Sequence, residues 1–135
     1  MAGGLLDKGN LSLREREIAI DRACARCGGE YEWGVHMALF AERVGFGEAE
    51  IAATRSSQTD QPFWSPREQL ILRLVDQLHD TSTIDDALWA LLAAAFSDEQ
   101  LLELLMLTGF YHMVSFVVNA TRLPLEPYAV PFPVA

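Results

Sequence analysis

Cationic side chains are scarce in this sequence. Ten Lys and Arg face 19 Asp and Glu among 135 residues, a formal net charge of −9 at pH 7. Nucleic acid and anionic membrane surfaces both require a positive face, so this balance excludes them as partners. The apolar runs fall short of the ~20 residues needed to cross a bilayer. The opening MAGGLLDKGN lacks the basic and apolar regions of a secretory signal, which predicts a cytoplasmic location. Two cysteines do not make a disulfide scaffold. No glycine-rich phosphate loop, HExxH or GxSxG is present, and no cofactor is predicted.

Proline is also confined. Its six occurrences fall at 62, 66, 124, 127, 131 and 133, leaving 1–61 and 67–123 free of it. Helices exclude internal proline, and both stretches are rich in Ala, Leu, Glu and Arg, so the fold class is all-α. Half the residues are apolar, enough for the core of one domain.

Capping residues divide the chain into about six helices. Ser12 with Glu15 forms a capping-box spacing for a helix over 13–27, and Gly28-Gly29 ends it. A second helix covers 30–44, from an acidic start to Gly45. A short one spans 48–54, and the polar stretch 55–66 is a loop. Ser65 and Pro66 open a helix to about residue 79. Thr83 or Asp85 caps another through about residue 96, and Ser97 with Gln100 opens the last, to about residue 121. The domain is therefore 13–121, with a lead-in over 1–12 and a Pro-rich tail over 122–135 that packs on a neighbour or a subunit. A weak internal duplication shows in Arg16-Glu17-x-x-Ile20 against Arg67-Glu68-x-x-Ile71, and in His36-Met37-x-x-Phe40 against His112-Met113-x-x-Phe116.

In the first helix, Leu13, Glu17, Ile20, Cys24 and Cys27 follow the 4-3-4-3 spacing of a buried stripe. A carboxyl on such a stripe needs a partner or keeps its proton, so Glu17 is either a structural group or a proton carrier. Trp33, His36 and Phe40 share one face of the second helix, where His36 is either a core histidine or the partner of Glu17. At ~1.5 Å per residue, Glu17 lies about 17 Å and His36 about 11 Å from the Gly-Gly turn, an offset of about one turn. Direct contact therefore calls for long side chains, a helix crossing or a bridging water. His112 shares an apolar face with Leu105, Gly109 and Phe116. There Gly109 admits a close backbone approach, and His112 either packs or lines a site. His79 has no assigned role. Cys24 and Cys27 form a CxxC at the C-terminal, electronegative end of their helix, the wrong pole for a thiolate. They are two small core residues or a redox dithiol. Cys24, Cys27, His36 and His112 lack a recognised zinc spacing, so no metal site is predicted.

The stretch from Arg14-Glu15-Arg16-Glu17 to Glu30-Tyr31-Glu32-Trp33-Gly34-Val35-His36, with Gly109-Phe110-Tyr111-His112-Met113 and Asn119, resembles the carboxymuconolactone decarboxylase family, which includes alkylhydroperoxidase D. The resemblance covers about 13–121. It implies an AhpD-like helical bundle that assembles as homo-oligomeric dimers, trimers or hexamers, with its active site near subunit contacts. The peroxiredoxin-like branch carries Glu, then CxxC, then His four residues after the second Cys. Glu17 and His36 match its outer positions, while the thiol positions fall on Gly29 and Glu32. The lyase branch also lacks that thiol pair and acts on a small anionic lactone. Members commonly carry further helices upstream of the position of Leu13, so the resemblance implies a trimmed pocket or one completed by a partner.

Three functions follow. A cofactor-free lyase would use His36 as general acid/base and Glu17 to orient it, with Tyr31, Glu32, Trp33 and His112 around the pocket and Arg22 or Arg26 anchoring the anionic substrate. A thiol antioxidant would use Cys24 and Cys27. A non-catalytic oligomeric module would use Glu17 and His36 only to tie two helices together.

Overall fold

The computed structural model describes residues 10–134, and among them six helices and no strands form: α1 (Leu13–Arg26), α2 (Glu30–Phe40), α3 (Glu48–Ala53), α4 (Pro66–Thr81), α5 (Asp86–Ala95) and α6 (Asp98–Ala120). Residues 1–9 of the lead-in lie outside the described residues. The capping boxes at Ser12, Ser65 and Ser97 are all present, and Asp85, rather than Thr83, caps α5. The second helix stops at Phe40, earlier than the expected 44, and continues as turns to Gly45, whose φ of +79° reverses the chain. Gly28 ends the first helical segment with φ +62°.

α1 is the central rod. It packs against α2, α4 and α6, and every residue from 16 to 24 is buried. The expected single stripe is thus too narrow, since this helix is enclosed on all sides and its polar residues cannot turn to solvent. Ile18, Ala19, Ile20 and Ala23 meet Ile71, Leu72, Leu74 and Val75 of α4 and Leu104 and Leu107 of α6 in one apolar core.

Constant sequence offsets set the α1–α4 arrangement. Arg14 pairs with Glu68, Arg22 with Asp76 and Arg26 with Asp80, each 54 residues on, so the two helices run parallel and in register. Arg22 is 1% exposed; its guanidinium holds Asp76 at 2.7 and 2.8 Å and also donates to the carbonyls of Thr54 and Ser56. That fork secures the loop after α3 to the core. Stripping one partner from such a buried pair costs on the order of 3–5 kcal/mol. The duplication hinted at in the sequence does not extend to the chemistry, because Glu68, the counterpart of Glu17, accepts from Arg14 instead of a histidine.

α6 has 23 residues and is long and apolar enough, by length and composition, to cross a membrane, unlike the runs expected from the sequence. One face, including Leu101, Leu104, Leu107, Tyr111 and Val118, belongs to the core, while Leu102, Met106, Met113, Phe116 and Val117 are exposed. A buried Glu103 on the same helix accepts from the backbone N–H groups of Asn10 and Leu11, fastening the chain ahead of α1.

The tail folds back on its own chain. Val130 N–H donates to Gly34 O at 3.1 Å, Phe132 N–H to Glu30 at 2.8 Å, and the Phe132 ring meets Trp33 edge-on at 5.1 Å beneath Arg55. The close approach falls at Gly34, where a Cβ would lie 2.2 Å from Val130 O; Gly109, expected to serve such a role, faces open space. Gly34→Ala should therefore unseat residues 126–134 at a cost of about 1–3 kcal/mol. Hydrogen exchange would show lost protection at Val130 and Phe132 with the helices unchanged, and full protection in the variant would contradict this role.

Candidate active site

Glu17, in the second turn of α1, and His36, in the second turn of α2, meet directly. His36 Nδ1 lies 2.9 and 3.1 Å from the two oxygens of Glu17, which is 1% exposed, while His36 is 5% exposed. The length of the Glu side chain spans the one-turn offset, and no bridging water is needed. A carboxylate only accepts, so Nδ1–H donates to Glu17 and the ring presents Nε2 on its other side. That nitrogen faces Glu32 Oε2 at 3.6 Å, one turn earlier on α2. Phe40 and Tyr111 flank the ring, with centroids 5.2 and 5.4 Å away.

A third acid completes the cluster. Asp21 follows Glu17 by one turn of α1, is 1% exposed, and leaves Oδ1 without a hydrogen-bond partner. Burial first, and the Glu17 charge second, push its carboxyl well above the usual range. Burial, with the Glu32 and Glu17 charges, also pushes the Tyr111 phenol up and keeps it neutral. The result is a buried cluster of acids around one imidazole. Asp21 sits outside the expected apolar stripe, and the signal that could have found it is its i+4 spacing from Glu17.

The other sequence candidates lie elsewhere. Glu32 joins His36, but the Tyr31 hydroxyl donates to Glu126 of the tail at 2.8 Å and is pushed up to about 12 by that carboxylate. Trp33 points to the far side of α2, where its indole N–H donates to Thr54 Oγ1 at 3.0 Å. His112 lies against His79 at 2.9 Å, not against His36. Arg22 and Arg26, expected as substrate anchors, are both committed to acids on α4. Cys24 and Cys27 are free thiols; burial pushes Cys24 well up and Cys27 up, the latter against opposing pulls from Ser115 and Arg26. At Gly29 a Cβ would stand 2.7 Å from Ser115 Oγ, so a side chain there would displace α6 contacts.

Surface clefts of 340, 290, 220 and 180 Å³ are lined by neither Glu17 nor His36.

The model of the carboxymuconolactone decarboxylase family matches residues 1–77, more than half of the chain and the part that holds Glu17, Asp21, Glu32 and His36. An uncharacterised peroxidase-related protein from Silicibacter sp. TM1040 has a similar structure, with TM-score 0.83, 20% identity and 93% of this chain covered; this chain spans 66% of its length. A protein of unknown function from Agrobacterium tumefaciens, named for a suggested antioxidant-defence role of the AhpD type, matches with TM-score 0.83, 18% identity and 93% coverage, this chain spanning 85% of it. At these identities the likeness is one of fold. No curated protein matches the chain.

The raised Asp21 pKa has a definite sign. The folded state holds the proton to a higher pH than the unfolded state does, so stability is fully present below the unfolded pKa of about 4 and falls as pH rises toward the folded pKa. Asp21→Asn removes that loss. At pH 7.5 it should raise Tm, and the gain should shrink to nothing near pH 4. Thermal melts at the two pH values check this; equal shifts at both would contradict it.

Proposed function

The chain belongs to the carboxymuconolactone decarboxylase family, and on that footing we propose that it catalyses cofactor-free proton transfer on a small anionic lactone or carboxylate. The observation that carries this reading is the direct bond from His36 Nδ1–H to Glu17, which orients Nε2 beside Phe40 and Tyr111 with Glu32 3.6 Å from it. In proton abstraction, Nε2 takes the proton and Glu17 offsets the charge of the resulting imidazolium. In decarboxylation, CO2 leaves its bonding pair on the substrate, and the imidazolium returns a proton to that carbon.

Glu32 stands where the substrate must come. Its carboxylate faces Nε2 and is 20% exposed, so it swings aside to admit an anion and repels that anion while in place. Arg43, an exposed cation over the Phe40 ring at 5.4 Å, takes the anchoring role first assigned to Arg22 and Arg26. A second copy of the chain, docked on the exposed apolar stripe of α6, closes the pocket; the length of that stripe and the separation of Glu17 and His36 from the described clefts support this. The thiol route has less support, because the family's thiol positions hold Gly29 and Glu32 and burial raises both cysteines present.

Carbon dioxide release from a panel of carboxy-substituted lactones tests the reading. Turnover should fall by about 10²–10⁴ in His36→Ala and Glu17→Gln with helicity retained. Glu32→Gln should lower KM for the anionic substrate. Undiminished turnover in the His36 variant, or none in the wild-type chain across the panel, would overturn it.

A further inference from the structure

A second cluster lies outside the His36 site, where three helices converge. Cys27 caps the C-terminus of α1, His79 sits in the last turn of α4 and His112 lies in the C-terminal half of α6. All three are half-buried, and one ligand atom of each lies within 4.8 Å of the others. We propose that Cys27 Sγ, His79 Nδ1 and His112 Nε2 bind a zinc-class divalent ion with one coordination position left open.

The geometry carries this. His79 Nδ1 is 2.9 Å from His112 Nε2, and Cys27 Sγ is 3.9 Å from His79 Nδ1. Tetrahedral zinc, with bonds of about 2.0–2.1 Å to nitrogen and 2.3 Å to sulfur, sets nitrogens about 3.3 Å apart and sulfur about 3.6 Å from nitrogen. Both separations therefore need adjustments of only about 0.3–0.4 Å. His112 is already turned to coordinate, because its Nδ1–H donates to Thr108 O at 2.7 Å, which fixes the tautomer and leaves Nε2 as the free donor atom. His79 Nδ1–H now fills the space an ion would take.

The donor set selects the ion. One thiol and two imidazoles suit borderline-soft metals and disfavour magnesium or calcium. On binding, the His79 proton moves from Nδ1 to Nε2 and the Cys27 thiol loses its proton to solvent, so one proton is released per ion. The open position faces a 180 Å³ cleft lined by Leu78, Leu105, Thr108, Gly109 and His112. Gly109, with no atom within 4 Å of a would-be Cβ, leaves room there for water or a small ligand.

Titration of the metal-free full chain with Co²⁺ tests the site. One ion per chain should bind with a thiolate-to-cobalt charge-transfer band and intense tetrahedral visible bands, and Zn²⁺ should displace it. Cys27→Ser should abolish the charge-transfer band while helicity is retained. His79→Ala and His112→Ala should each weaken binding at least about tenfold. Cys24→Ser and Glu17→Gln should leave the spectrum intact, the latter separating this site from the Glu17–Asp21–His36 cluster. A spectrum without the thiolate band, or one that survives in Cys27→Ser, would overturn the proposal.

Discussion

The enclosure of α1 is the constraint from which the rest follows. A helix buried on every side from residue 16 to 24 carries Arg16, Glu17, Asp21 and Arg22 within that span. Each ion or polar group there must be matched inside the protein, and the molecule uses a different answer for each. Arg22 reaches an acid on α4 and two carbonyls of the loop after α3. Arg16 donates to the Leu11 carbonyl. Glu17 accepts from an imidazole on α2, and burial pushes the Asp21 carboxyl well above the usual range. Three neighbouring segments thus take their positions from the polar residues of one rod.

α6 divides the polar interior in two. Tyr111 faces His36 while His112, the next residue, faces His79, as expected for neighbours about 100° apart on a helix. The stretch first singled out for one histidine therefore serves two places. Its tyrosine walls the acid–imidazole pair, and its histidine belongs to the sulfur–imidazole group at the far ends of α1 and α4.

Much of the architecture was legible because helix ends are local. Ser12, Ser65 and Ser97 announce their helices through side-chain bonds to residues three positions on, and Gly28 marks its own turn. The meeting of Glu17 and His36 was legible for a similar reason: the two helices are joined by a two-glycine turn. What escaped the sequence depends on distant partners. His79 and His112 are 33 residues apart, and no periodicity within α4 or α6 shows that the two rows face each other. Asp21 lies off the expected apolar stripe, and a stripe assumes one wet face, which α1 lacks. Gly34 and Gly109 exchanged expectations since a close approach is set by where the tail returns, not by the helix that receives it.

The parallel register of α1 and α4 also governs how the chain reaches this state. Antiparallel neighbours meet through a short turn, but a parallel pair waits for a crossover, here the whole of α2, α3 and the loop to Ser65. Closing that span costs entropy before any contact repays it. During synthesis the first rod emerges long before α4 and α6, and only their arrival covers it. The early half of the chain therefore leaves the ribosome with its most deeply enclosed helix unsheltered, and structure condenses late, around α1.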